Sequence, residues 1–278
     1  MGGIALDRPV LMGVLNTTPD SFWHQSRSEG PEGALRQAEA MLEGGAAILD
    51  VGGESTRPGA EPVSPGEERR RVVPVVEALV RRFPGVHVSV DTVKGETARA
   101  ALEAGAAAVN DVSGLRLDPT VADAVRDAGA GLILMHSRGA VADMATYELA
   151  AYGPDVVGEV IEELAVSLAE ARGRGVPADA IALDPGLGFS KTTAHSVAVL
   201  RELERFAALG HAVVVGPSRK RFVGELAGGL PPELRLPGTI AACVVAYQRG
   251  ARILRVHDVA EARRALDVAA ALVDRTDL

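Results

Sequence analysis

The stretch ARAALEAGAAAVNDV (98–112) changes its period halfway along. Its first part has the apolar spacing of a helix. A glycine follows, then a short run of small apolar residues that ends on Asn-Asp. Glycine tolerates the left-handed backbone that closes a helix, and an unbroken apolar run suits a parallel strand covered on both faces. The pattern recurs in AEAMLEGGAAILDV (38–51), VADAVRDAGAGLILMH (121–136) and VVAYQRGARILRVHDV (244–259), and more loosely in RFAALGHAVVVG (205–216). FPGVHVSVD (83–91) and ADAIALDPG (178–186) keep the strand part. With VLMGVLN near the start, strands are expected at 10–15, 47–51, 86–90, 107–111, 131–135, 180–184, 212–215 and 252–256.

Between them lie stretches with helical periodicity, such as GALRQAEAMLEG (33–44) and DVVGEVIEELAVSLAEARGRG (155–175), and DVAEARRALDVAAALVD (258–274) closes the series. Alternating strands and helices make an α/β protein, and eight such units predict a (β/α)8 TIM barrel. A doubly wound sheet is the alternative, but it accounts less well for eight strands without a linker. The chain is therefore expected to be a single domain over residues 1–278.

Composition narrows the function. The chain has 278 residues, 47% of them hydrophobic, a net charge of −8 and a pI near 5.3. An acidic protein of this kind does not present a nucleic-acid surface by default. The single cysteine, Cys243, lies in the apolar run TIAACVVAY (239–247), reads as a small core residue and rules out an intrachain disulfide. MGGIALDRPV (1–10) has no signal-peptide core, and no apolar run reaches the length of a membrane span, so a cytoplasmic protein is expected.

A barrel collects its chemistry at the C-terminal ends of its strands. The residues expected there are Asn16; Glu54, Ser55, Thr56 and Arg57; Asp91; Asn110 and Asp111; His136; Asp184; Ser218–Arg221; and Arg255 with His257. Counted from the preceding glycine, Asp50, Asn110 and Arg255 share one register. Some of these polar residues serve only as caps, since Asp, Asn and Ser favour strand-to-helix turns.

The segment HAVVVGPSRKRFVGEL (211–226) runs from a strand into three consecutive cations. Lys220 stands between two arginines in a chain with only two other lysines, Lys94 and Lys191. Gly216 and Ser218 lead toward a helix start near Arg221, an arrangement that suits an anion. A lysine there offers a compact charge and an arginine a planar fork. A solvated basic turn is the alternative. In strand 8, Arg255 and His257 fall on one side and Val256 on the other, which suits a phosphate; pairing of Arg255 with an acid such as Asp258 is the alternative. The acids Asp91 and Asp184 with the amide Asn110 form a second set. They suit a flat heterocycle with several N–H donors, or act as paired catalytic acids. A metal near Asn16 would be a hard cation such as Mg²⁺, held mostly by substrate phosphates and water. Neither zinc-ligand spacing nor a nucleotide-binding glycine loop is present.

At this point the residues are similar to a known family. The chain resembles the dihydropteroate synthases through VLNTTPDSF (14–22), LDVGGESTRPGA (49–60), VSVDTVK (88–94), VNDVSG (109–114), LMHSRG (134–139), LDPGLGF (183–189), GPSRKRFVG (216–224) and RVHDV (255–259). Any one of these would be weak alone; their order along the whole chain carries the resemblance. It implies the joining of 6-hydroxymethyl-7,8-dihydropterin pyrophosphate to p-aminobenzoate, giving 7,8-dihydropteroate and pyrophosphate in folate biosynthesis. Asp91, Asn110, Met135, Asp184, Gly216 and Lys220 would then surround the pterin. Asn16, Arg255, His257 and Thr56 would meet the pyrophosphate, with Asn16 a Mg²⁺ ligand. Thr56, Arg57, Phe189, Ser218 and Arg221 would meet the aminobenzoate. Lys220, Arg255, His257 and Asp91 would carry the catalysis, and the protein would be a homodimer.

Three departures stand out. The first loop reads NTTPDSFWHQS (16–26), with His24 where members have a metal-binding Asp, so Asp20 is a candidate substitute. Arg221 replaces a common Ser, and Ser137 a common Met. A pterin-dependent methyltransferase would share the barrel and the Asp and Asn positions, but has no use for a pyrophosphate site. A non-catalytic pterin-binding paralogue is favoured only by the altered first loop.

Overall fold

The computed structural model describes residues 6, 8–17, 30–56 and 59–273. Among these, eight parallel strands close into a barrel in chain order. They are β1 (Val10–Asn16), β2 (Ile48–Gly52), β3 (His87–Asp91), β4 (Ala108–Asp111), β5 (Gly131–Met135), β6 (Ile181–Asp184), β7 (Ala212–Val215) and β8 (Ala251–Val256). The expected strands fall within one residue of these bounds. Helices α1 (Gly30–Glu43), α2 (Pro65–Arg82), α3 (Gly95–Glu103), α4 (Thr120–Ala128) and α5 (Val156–Gly173) join the first six strands. Two helices lie between β6 and β7, α6 (Thr193–Arg201) and the short α7 (Glu204–Ala207). Two more, α8 (Arg221–Leu226) and α9 (Leu236–Gln248), lie between β7 and β8, and α10 (Val259–Val273) follows.

The repeated glycines behave as the sequence pattern requires. Gly45, Gly105, Gly129, Gly210 and Gly250 all have positive φ, so each helix reverses into its strand without the steric cost that a Cβ would impose there.

Alternation along the strands divides the side chains between two environments. Leu11, Leu49, Val51, Val90, Val109, Leu132, Leu183, Val215 and Leu254 join the large layer between strands and helices. Val10, Met12, Ile48, Ile133, Ala182, Val214 and Ile253 form a separate plug inside the barrel. Two residues further along several of these strands, the inward positions become Asp50, Met135, Asp184 and Arg255. The lumen is thus apolar at its base and polar toward the C-terminal mouth. Cys243 is buried in the outer layer, as its apolar surroundings predicted. No helix among the described residues is long and apolar enough to cross a membrane.

Candidate functional site

Strand register builds the rim. Asn16 is level with Gly52, Gly52 with Asp91, and Asp91 with Asn110, so four neighbouring strands deliver these residues in one row. On the far side Met135 is level with Asp184.

Just below that row lies a cluster of buried charge. Asp50 is fully buried. It accepts from Ser89 Oγ at 2.6 Å, Asn110 Nδ2 at 3.0 Å and Arg255 Nε at 2.7 Å. Arg255 also donates from Nη2 to Asp91 Oδ2 at 2.8 Å. Two carboxylates therefore share one guanidinium. Burial outweighs the attraction of Arg255 and pushes Asp91 up to about 7, with the charge on Asp50 adding to the rise. Arg255 is thus paired, but with acids across the lumen rather than with its chain neighbour. Asp258 instead takes Arg219, accepting from Nε at 2.9 Å and from Nη2. Arg219 adopts φ +56, and its amide donates to Thr239. It is a structural brace of the segment.

The opposite wall carries Asp184, Lys220 and an aromatic ring. Asp184 is buried, which raises its pKa against the pull of Lys220. Lys220 donates to the Leu187 carbonyl and lies 4.3 Å from the centre of the Phe189 ring. Burial brings Lys220 down to about 8, although Asp184 opposes the shift. Met135 packs nearby with Val93, Val112 and Met144, and Phe189 borders this small apolar cluster. Gly186 makes the approach possible: it has φ +69, and a Cβ on it would stand 2.0 Å from the His136 carbonyl oxygen. An ammonium and a carboxylate thus face an apolar surface of sulfur and aromatic carbon, which suits a flat, polar-edged ring.

The remaining strand 7 and 8 residues are arranged in pairs. Gly216 lies beside the Arg255 stem, where a Cβ would make ordinary contact at 3.6 Å from the Arg255 Cβ. Ser218 Oγ meets His257 Nδ1 at 2.9 Å and accepts from the His257 amide at 3.2 Å. Ser218 is buried and His257 exposed. Ser218 is therefore tied to the residue that follows β8. Arg221 does open helix α8, and its guanidinium stacks 3.5 Å from the centre of the Tyr147 ring, with Glu225 Oε1 3.9 Å from its Nε. Ser137, at the position of the common Met, is buried and donates to the Val112 carbonyl.

Thr56 is half-buried on the loop after β2. The base of that loop is held by Glu54, which accepts from the Val63 amide at 2.7 Å and from Lys94 Nζ at 2.8 Å. Arg57, Asp20 and His24 lie outside the described residues. For a metal, no three His, Cys, Asp or Glu converge among the described residues. A Cβ on Gly52 would stand 3.7 Å from Asn16 Oδ1 and 3.9 Å from Asp91 Oδ2. The glycine thus keeps open a gap between an amide and a carboxylate oxygen. That donor pair fits a hard cation that retains water and substrate oxygens.

Two parts of the site were not singled out from sequence. Asp50 shared a register with Asn110 and Arg255, and an acid inside the apolar run ILDVG was the available signal. Lys191 was visible only as one of three lysines, yet it is fully buried beneath the loop after β6. Its Nζ is 2.7 Å from His136 Nδ1, and His136 Nε2 is 3.0 Å from Glu163.

Comparison with known proteins shows the family. Residues 12–257 match the family described as pterin binding enzyme. The dihydropteroate synthase of Synechocystis sp. is 43% identical, over 95% of this chain and 90% of its own. That of Bacillus subtilis is 39% identical, over 97% and 90%. A solved Xanthomonas albilineans dihydropteroate synthase with 4-aminobenzoic acid superposes with a TM-score of 0.90 at 44% identity, covering 98% of this chain and 96% of its own. The Xanthomonas albilineans enzyme in complex with 7,8-dihydropteroate gives a TM-score of 0.87 at 41% identity, covering 98% and 97%. The chain belongs to the dihydropteroate synthase family of pterin-binding enzymes.

Proposed function

We propose how this barrel mouth divides the work of dihydropteroate synthesis, the transferase activity of the family to which the chain belongs. The observation that carries the assignment is the wall in which Lys220 lies over Phe189 beside Met135 and buried Asp184. The pterin lies against that wall, its N–H edge toward Asp184, Asn110 and Asp91, with Gly216 beside it. The second substrate, p-aminobenzoate, lies on the outer side of Phe189, toward Thr56 and Ser218, and the exposed Arg221 meets its carboxylate, with Arg57 a further contact expected from the sequence. The Xanthomonas albilineans relatives that hold 4-aminobenzoic acid and 7,8-dihydropteroate support two substrates of these classes.

The pyrophosphate of the pterin substrate faces Arg255, His257, Asn16 and Thr56. Arg255 commits Nε and Nη2 to the two acids, so a phosphate oxygen is met through Nη1. Mg²⁺ bound at Asn16 would neutralise charge on the departing pyrophosphate. The reaction then breaks the bond between the pterin methylene and the pyrophosphate oxygen, and the electron pair leaves with pyrophosphate. The pterin ring delocalises the positive charge left on the methylene. The aminobenzoate nitrogen, unprotonated at neutral pH, supplies the pair for the new C–N bond and releases a proton to water. Arg255 and His257 stabilise the leaving group while Asp91 and Lys220 hold the ring, so catalysis rests on positioning and fixed charge. A cytoplasmic homodimer completes the reading.

The test is direct. The protein incubated with pterin pyrophosphate, p-aminobenzoate and Mg²⁺ is expected to release dihydropteroate and pyrophosphate in equal amounts. Binding of the pterin without Mg²⁺-dependent product would instead mark a non-catalytic pterin-binding protein.

A further inference from the structure

We propose that Lys191 is a positioning residue whose buried side chain sets the loop after β6 and, through it, the Phe189 ring. Its Nζ reaches three groups: His136 Nδ1 at 2.7 Å, the Gly186 carbonyl at 3.2 Å and the Phe189 carbonyl at 3.2 Å. An ammonium has three protons for these three acceptors. His136 has its other nitrogen 3.0 Å from Glu163, and Arg138 also donates to that carboxylate. A carboxylate accepts only, so His136 places its proton on Nε2 and turns the lone pair of Nδ1 toward Lys191. Burial pulls the Lys191 pKa well down, and the three convergent acceptors oppose that shift: a neutral amine has only two protons for them, whereas the ammonium serves all three at once. Burial and the charge of Lys191 keep His136 neutral, its pKa held down to about 4.

The loop needs such a hold because its backbone is unusual. Gly186, Gly188 and Ser190 have φ of +69, +73 and +47, and a non-glycine residue in that region carries strain. No strand or helix ladder fixes residues 186–189. Side chains and turns do so instead: Asp184 accepts from the Gly186 amide at 2.7 Å, and Ser196 from the Gly188 amide at 3.2 Å. Lys191 takes the carbonyls at the two ends of the same segment. Between those ends lie Leu187, whose carbonyl receives Lys220, and Gly188, over which the Lys220 stem passes. The Phe189 ring projects from the second fixed carbonyl. Loss of the buried cation removes a donor from both carbonyls, and the Gly186 end keeps its bonds to Asp184 and the Phe189 amide while the Phe189 end is loosened.

This inference rests on the reading that Phe189 flanks the aminobenzoate, and the experiment separates the two. Lys191→Met and Phe189→Ala are compared with the parent enzyme for the KM of each substrate and for Tm. Lys191→Met is expected to raise the aminobenzoate KM about tenfold, a misplacement effect, and the pterin pyrophosphate KM by no more than about threefold. Phe189→Ala is expected to raise the aminobenzoate KM as well; no effect of that variant removes the premise and this inference with it. A raised KM in Phe189→Ala with an unchanged KM in Lys191→Met overturns the positioning role alone. So does a parallel loss on both substrates with a fall in Tm, which marks a purely structural residue. If Lys191→Met does not fold, Glu163→Gln loosens His136 from the far end. An aminobenzoate KM raised about threefold with the pterin KM unmoved then supports the role, and an unmoved aminobenzoate KM overturns it.

Discussion

Arg255 donates from Nε to Asp50 Oδ2 at 2.7 Å although the two residues are 205 positions apart. The bond spans β1 on the lumen side, from β8 to β2, and Asp50 is fully buried. Removing the guanidinium strands a buried carboxylate, which costs about 3–5 kcal/mol. Arg255→Ala is therefore expected to lower Tm markedly, and adding Asp50→Asn is expected to restore part of the loss. Among folded protein, Arg255→Ala should weaken binding of pterin pyrophosphate far more than binding of a pterin without phosphates. Equal losses measured by calorimetry would refute the phosphate role.

Asp91 titrates near 7 because burial and the neighbouring Asp50 leave one guanidinium to serve two carboxylates. Its folded value lies above the ordinary 3.8, so the folded state holds this proton more tightly than the unfolded chain does. The stability it contributes is full below pH 3.8 and is lost as pH rises through about 7. Ligand binding runs the other way, since a heterocycle N–H needs the ionised carboxylate. Pterin affinity is expected to improve roughly 20-fold between pH 5.5 and 7.5. Asp91→Asn should flatten that profile; an unchanged slope in the variant would assign the titration to another group.

Lys220 fits where arginine does not. Its stem passes 3.2 Å from the position of a Cβ on Gly188, and its ammonium sits between the Leu187 carbonyl and the Phe189 ring. A planar fork is too broad for that site. Lys220→Arg is expected to lower kcat/KM by about 10- to 100-fold despite keeping the charge. Activity within twofold of the parent would show that charge alone matters.

Arg221 is exposed, stacked on Tyr147 and near Glu225. An exposed charge contact contributes about 1 kcal/mol, so Arg221→Ala should raise the aminobenzoate KM roughly fivefold. The control is aniline, which lacks the carboxylate and should react equally well with both proteins. A matching loss with aniline would place Arg221 elsewhere in the reaction.

Lys94 joins Glu54 at 2.8 Å to the fully buried Glu68 at 3.0 Å. Thr97 also donates to Glu68. Lys94→Met leaves Glu68 without its cation, at a cost of about 3–5 kcal/mol, and frees the base of the loop after β2. Denaturant unfolding is expected to show that loss and its partial recovery in Lys94→Met/Glu68→Gln. No recovery would mean that Lys94 acts through packing of its stem.

The strands, their order and the row of polar groups at their ends were legible in the chain, because each depends on local physics. A glycine that must adopt positive φ, an apolar run and a polar residue that closes it fix where a strand lies, and parallel pairing brings those ends level. Asn16, Asp91, Asn110 and Asp184 follow from that rule. The partners of the charges were not legible. Arg255 could have taken the adjacent Asp258, but barrel closure places it against Asp50 and Asp91, and Asp258 goes to Arg219. Lys191 likewise has no assigned place in the sequence, and the left-handed turns after β6 bury it under Phe189. Backbone conformation and burial are set within a few residues. Charge pairing depends on distances across the lumen, which only the closed barrel fixes.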